Sequence, residues 1–267
     1  MRASEDEIAL AISVTGAFEN KGDPYISIAG DFDGMGISCG VLQWNLGCNS
    51  LQPLIQSVGE AAVRRAMPLY GDTMWRICQA DAAAACSVAR GWQTNAALQD
   101  APAAELRALL GSREMRQVQR DRIAVIADKA DALARVWASD QGRAARTIQE
   151  LVWFFDLVTQ NGSMRGIGAK DVAAFLDANG AAATSLICDW LAAAPPEWWG
   201  RDDCVKNAAL WRAGLPPASI PLFVLGYLRS AIASEARARG VAMNRKGTIA
   251  AKTGFVNGTR FDFADRF

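Results

Sequence analysis

Residues 16–47, GAFENKGDPYISIAGDFDGMGISCGVLQWNLG, hold the side chains best suited to chemistry. Glu19 closes an apolar helix, Asp31 and Asp33 follow on a glycine-rich segment, and Ser38, Gln43, Trp44 and Asn45 come soon after. Two effects act on a carboxyl at the end of a helix, on its apolar face. Desolvation disfavours the anion, and the negative end of the helix dipole disfavours it again, so the acid keeps its proton closer to neutral pH. A protonated acid facing an ionised one is what cleavage of a glycosidic bond requires. One carboxyl protonates the leaving oxygen, while the other activates water or stabilises the oxocarbenium ion. Spacing along the chain leaves retention and inversion both open.

Asp31 and Asp33, two apart, would share one face of a strand. Gly34, Gly36 and Gly40 let the backbone turn tightly there. Asp-x-Asp with a glycine at the sixth position also matches the start of a calcium loop. Met35, however, stands at a ligand position, and Leu42 stands where the bidentate glutamate belongs, so no metal is expected. Asp33-Gly34 is equally a plain hairpin turn. The chain has no histidine, which removes Ser-His-Asp and Cys-His nucleophiles and histidine zinc sites. Cys39, Cys48, Cys78, Cys86, Cys188 and Cys204 form no CxxC pair and read as buried thiols. Export into an oxidising compartment would favour a Cys39–Cys48 bridge.

Helices must position these groups. Over 4–19, Ser4 and Glu7 make a capping box, and Ile8, Ile12, Thr15 and Glu19 fall on one face until Gly22, Asp23 and Pro24 end the helix. YISIAGDFDGMGIS reads as a short, bent hairpin. After Pro53 the pattern is helical over 54–67, 73–92, 102–110, 113–139, 143–160, 169–178, 183–193, 202–212 and 220–238. The 113–139 segment is amphipathic and reads as a bridge between lobes, with Arg113, Arg116, Arg120 and Arg122 on a solvated face. TIQELVWFFDLVTQ, 147–160, is apolar nearly all round and reads as the buried central helix. Pro195, Pro196, Trp198, Trp199 and Gly200 mark one loop and 214–217 another, while 247–267 reads as a turn-rich closing segment. Trp137 and Trp153 read as core. Trp44, Trp198 and Trp199 are the candidates for stacking on sugar.

Glu19 followed by DGMGIS, with an acid at 33 and a hydroxyl at 38, resembles the active-site strip of bacterial chitosanases. Those enzymes belong to the lysozyme-like superfamily and carry a helix-end Glu followed by Asp-Gly-x-Gly-x-Thr. The resemblance implies Glu19 as general acid, Asp33 as general base, Ser38 as the hydroxyl that positions the attacking water, and inversion of configuration. SCGVLQWN is similar to the Ser-x-Gly-Leu-x-Gln signature of lytic transglycosylases and goose-type lysozymes. This implies that Gln43 lines the sugar cleft; Asp31, Trp44 and Asn45, close to it in the sequence, are further candidate substrate contacts. FFDLVTQNG, 154–162, resembles Phe-Asp-x-x-Val-x-x-Gly on the central helix of chitosanases and phage-type peptidoglycan hydrolases, which implies that Asp156 is a buried structural acid meeting an arginine. Serine replaces the usual threonine, and the stretch from Glu19 to Asp33 is shorter than in chitosanases.

The resulting expectation is a mainly α (α+β), lysozyme-like single domain over 1–267. Its lobes lie roughly at 1–112 and 140–267, bridged by helix 113–139, with one small β-hairpin sheet at the cleft. Lys plus Arg equals Asp plus Glu at 28 each, so there is no overall field to attract nucleic acid. A binder of polycationic chitosan would carry excess carboxylate, so the balance favours peptidoglycan. The expected activity is hydrolysis of β-1,4-linked amino-sugar glycan without a cofactor. Chitosanase, lytic transglycosylase and non-catalytic cell-wall glycan binding are the alternatives. IPLFVLGYL at 220–228 is too short to span a bilayer, so no membrane insertion is expected. MRASEDEIALAIS lacks the signal-peptide pattern. An activity on the wall would then imply export by a signal-independent route to the periplasm or cell wall, as for an antibacterial effector or phage-type lytic enzyme. An immunity or inhibitor protein would be the partner.

Overall fold

The computed structural model describes residues 2–18 and 22–267. In chain order it runs α1 (Glu5–Ala17), β1 (Ile28–Ala29), β2 (Ser38–Cys39), β3 (Trp44–Asn45), α2 (Gln52–Val58), α3 (Glu60–Ala66), α4 (Gly71–Ile77) and α5 (Ala82–Arg90). There follow β4 (Gln93–Thr94), β5 (Ala97–Leu98), α6 (Asp100–Gly111), α7 (Arg113–Asp140), α8 (Ile148–Asn161), α9 (Ala169–Asn179) and α10 (Ala183–Ala192). The chain closes with α11 (Arg201–Gly214), α12 (Ile220–Ala231), α13 (Arg239–Ala251), β6 (Thr253–Val256) and β7 (Thr259–Asp262). It is mainly helical with small antiparallel sheets: β1-β2-β3, and the pairs β4-β5 and β6-β7. Among the described residues, no helix is long and apolar enough to cross a membrane.

The chain divides into two compact units, Asn20–Val125, and Met1–Glu19 with Ile126–Phe267. These limits differ from lobes ending at 112 and starting at 140. The first helix belongs with the C-terminal half, and the boundary falls inside the continuous α7. Pairing across the sequence is the reason. α1 packs on α8, and Arg146 donates to both oxygens of Glu7, each at 2.9 Å, and to Asp131 Oδ1 at 2.6 Å.

In the Met1–Glu19/Ile126–Phe267 unit, both key helices start on capping boxes. Ser4 Oγ accepts from Glu7 N at 3.2 Å, and Thr147 Oγ1 accepts from Glu150 N at 3.2 Å. α8 is buried from Glu150 through Val158, in keeping with its apolar pattern. The C-terminal expectation needs correction. Helix 220–238 stops at Ala231, and the segment from 239 forms a buried helix, α13, that runs through Gly247 to Ala251. Gly247 is there for close approach, since an added Cβ would sit 2.4 Å from the Trp211 ring of α11. Only after it does the chain turn, in a hairpin whose Asn257 and Gly258 have φ of 50° and 76°, the Asn-Gly signal of a two-residue turn.

In the Asn20–Val125 unit, two expected helices are each divided. Segment 54–67 breaks at Gly59, whose φ is 88°. Segment 73–92 restarts at Asp81, whose carboxylate accepts from Ala84 N at 2.8 Å as a helix cap.

Candidate functional site

β2 is the centre of the three-stranded sheet. It pairs Ile28 with Cys39 and Ala29 with Ser38 on one side, and Ser38 with Asn45 and Cys39 with Trp44 on the other. Buried Gln119 of α7 fastens this sheet. Its side-chain carbonyl accepts from Val41 N at 3.2 Å, and its amide donates to Tyr25 O at 3.1 Å and Leu110 O at 3.3 Å. Arg116, expected on a solvated face, instead pairs with Asp23 and lies over the Tyr25 ring.

Residues 31–36 are a turn rather than a strand, so Asp31 and Asp33 do not share a strand face. Asp31 turns inward: Oδ1 accepts from Gly36 N at 2.6 Å and Oδ2 from Arg90 Nε at 2.5 Å. Desolvation pushes this carboxyl up, but the Arg90 hydrogen bond, the Gly36 N–H and the Arg90 charge together hold it below its ordinary value. Gln93 closes the turn from the same side, accepting from Asp31 N at 2.8 Å and donating to Gly36 O at 2.9 Å. At Gly30 there is no room for a side chain, because a Cβ would lie 1.9 Å from Ala96 O. Asp33 remains at the exposed tip, where Oδ1 accepts from Met35 N at 3.1 Å. Beside it Phe32 is 76% exposed.

The other candidates lie on the same sheet and its turns. Ser38 is buried on β2. Gln43, at φ 53°, is held inside its own turn, its amide donating to Ser27 Oγ at 3.0 Å and Gly40 O at 3.1 Å. Trp44 is a correction to the stacking expectation: it is 9% exposed and packs over Gly40, so it fills the core of the sheet. Asn45 organises the next turn by accepting from Cys48 N at 2.8 Å. The six cysteines carry no disulfide; Cys48 is exposed and the others are buried.

Glu19 lies outside the described residues. Phe18, just before it, is 2% exposed. Its carbonyl accepts from Asn257 Nδ2 at 2.8 Å, its ring meets Phe261 edge-on at 5.0 Å, and the Arg245 guanidinium sits 4.9 Å from the ring centre.

Asp156 belongs to the other unit from Asp33. It is fully buried and meets an arginine: Oδ1 accepts from Arg245 Nη2 at 2.7 Å and Nε at 3.1 Å, while Oδ2 takes Lys246 Nζ. Desolvation pushes the carboxyl up, and the charges and hydrogen bonds of both cations outweigh it, leaving Asp156 ionised. Trp137 and Trp153 are buried, as their helical placing suggests.

Asp31, Asp33, Ser38, Gln43, Trp44 and Asn45 are therefore gathered on one small sheet, with Asp33 the exposed acid among them. Sequence reasoning missed Phe32, Arg90 and Gln93. The last two act from 57 to 62 residues away, a distance over which no local pattern signals contact. Among the described residues, no group of three or more His, Cys, Asp or Glu is placed to hold a metal ion. No family model matches the chain, and searches of curated proteins and of solved structures find no match.

Proposed function

We propose that this chain is a lysozyme-like glycoside hydrolase that cuts β-1,4-linked amino-sugar glycan, with peptidoglycan as the substrate. Glu19 gives its proton to the leaving oxygen. Asp33 takes a proton from the water that attacks the anomeric carbon, and Ser38 helps to place that water. The observation that carries the reading is the state of the 31–36 turn. It presents an exposed carboxylate and an exposed aromatic ring, Asp33 and Phe32, on a backbone locked from beneath by Asp31, Arg90 and Gln93. A general base must be both accessible and held still, and this turn meets both demands. Phe32 offers a face for a sugar ring next to the base. An enzyme of this kind acts on the bacterial cell wall and, in a producing cell, calls for an inhibitor protein that covers its cleft.

The test is digestion of purified peptidoglycan and chitosan by wild-type protein, Glu19→Gln and Asp33→Asn, with products read by mass spectrometry. Reducing-end muropeptides that fall by 10²–10⁴-fold in both variants are expected. Anhydro products that survive Asp33→Asn would make it a lytic transglycosylase, and cleavage of chitosan alone a chitosanase. No product from either glycan would sink the enzymatic reading.

A further inference from the structure

A cavity of about 580 Å³ opens at the start of α11, within the C-terminal unit, lined by Trp198, Arg201, Asp203, Lys206, Asn257 and Gly258 among others. Asp203 is 3% exposed. Its Oδ2 accepts from Gly258 N at 2.8 Å, at the tip of the β6–β7 hairpin. Its Oδ1 is sealed from water and, among the described residues, has no hydrogen-bond partner. The nearest cation, Lys206 Nζ, is 3.8 Å away, beyond hydrogen-bond reach. A buried carboxylate oxygen in that state is destabilising until a donor reaches it.

The surroundings narrow what that donor can be. An anion is disfavoured, because Asp202 and Asp203 already occupy the first turn of α11 and complement the helix dipole. A metal cation is disfavoured by the neighbouring Arg201 and Lys206 side chains. Arg201 is turned back on Ala194 O at 3.2 Å and Asp202 at 3.6 Å. The available pair is thus an acceptor, Asp203 Oδ1, and a half-exposed donor, Lys206. Trp198, braced edge-on by Trp190 at 4.7 Å, supplies an apolar wall.

We infer that this cavity binds a neutral saccharide. One ring hydroxyl donates to Asp203 Oδ1 once the flexible Lys206 side chain swings aside, and a neighbouring hydroxyl accepts from Lys206 Nζ. Trp198 covers the C–H face of the ring. The assignment does not depend on whether the chain cuts glycan.

The experiment is an NMR titration of ¹⁵N-labelled full-length Glu19→Gln protein, which spares the probe from cleavage, with N-acetylglucosamine trimer and with cellotriose. Shifts of the Gly258 amide and Trp198 indole N–H signals are expected with at least one sugar. Asp203→Asn weakens that binding roughly tenfold, as loss of a charged hydrogen bond should. Lys206→Ala, at a half-exposed position that does not threaten folding, weakens it several-fold. Absence of shifts at these signals with both sugars, or affinity unchanged in both variants, overturns the proposal. Shifts confined to residues 31–45 would also overturn it while leaving the hydrolase reading standing. Shifts here, with no glycan digested by the wild type, would sustain this site and remove that reading.

Discussion

The buried cluster of Asp156, Arg245 and Lys246 makes a quantitative prediction about which charge the fold needs. Asp156 is fully buried, and both cations are 1% exposed or less at their side chains. Burial is the largest influence on Lys246 and lowers its pKa from 10.5 to about 8; Arg245 and Arg229 lower it too, and Asp156 only partly offsets them. At ~1.36 kcal/mol per pH unit, that drop means the protonated lysine destabilises the fold by about 3 kcal/mol relative to its state in water. Lys246→Met removes this penalty and still leaves Asp156 two hydrogen bonds from Arg245. Because that penalty is already net of the Asp156 attraction, the expected change near neutral pH runs from neutral to a stabilisation of about 1–4 kcal/mol. Asp156→Asn instead removes the one negative charge that both buried cations meet in this cluster, and should cost about 3–5 kcal/mol. Between pH 8 and 10.5 the unfolded lysine keeps a proton that the folded one has lost. The unfolded state then binds more protons, so this residue's contribution makes stability rise with pH. The buried thiols act in the opposite direction. Burial raises Cys78 to about 12 and Cys188 and Cys204 to about 11, so they draw stability down above about pH 9. Both proteins share those thiols, and the difference between wild type and Lys246→Met isolates the lysine. Urea unfolding followed by circular dichroism at about pH 7 and pH 10.5 should show wild type gaining about 3 kcal/mol on the variant. A flat difference, or a Lys246→Met cost equal to that of Asp156→Asn, would refute the reasoning.

Two further predictions concern the turn that carries Asp33. Gly30→Ala drives a Cβ to within 1.9 Å of Ala96 O, a clash with backbone that should cost about 1–3 kcal/mol; a urea midpoint matching wild type would contradict that crowding. Asp31→Ala leaves the buried Gly36 N–H without its acceptor, a loss of about 1–3 kcal/mol, and should lower glycan cleavage although Asp33 is untouched. Because the Asp31 carboxyl is held below its ordinary 3.8, its contribution is present above about pH 4 and fades as pH falls through the folded pKa. Unfolding profiles of wild type and Asp31→Ala should therefore converge in acid, and a constant gap down to about pH 2 would exclude this origin.

Much of the helical framework was legible because its causes are local. Ser4 and Glu7 announce the start of α1, and the all-round apolar run of 147–160 announces a buried α8, since a capping box and a 3.6-residue period need only neighbours along the chain. Helix breaks were harder: Gly59 and Asp81 sit inside continuous helical patterns, and a positive φ at one and a capping hydrogen bond at the other end the helices there. The start of the 247–267 segment reads as a turn but is the last part of α13, because Gly247 is a turn signal by composition and a close-approach site by packing, a difference decided by Trp211 from another helix.

The same division holds at the candidate site. The clustering of Asp31, Asp33, Ser38, Gln43, Trp44 and Asn45 follows from the sequence alone, since a glycine-rich hairpin keeps neighbours together. Which of them faces solvent does not. Arg90 and Gln93 draw Asp31 inward, Gly40 receives Trp44, and Asp33 with Phe32 is left outside. In a turn, no periodicity ties side-chain direction to position. Direction is set by long-range partners and by the space they leave, and only the tertiary structure supplies those.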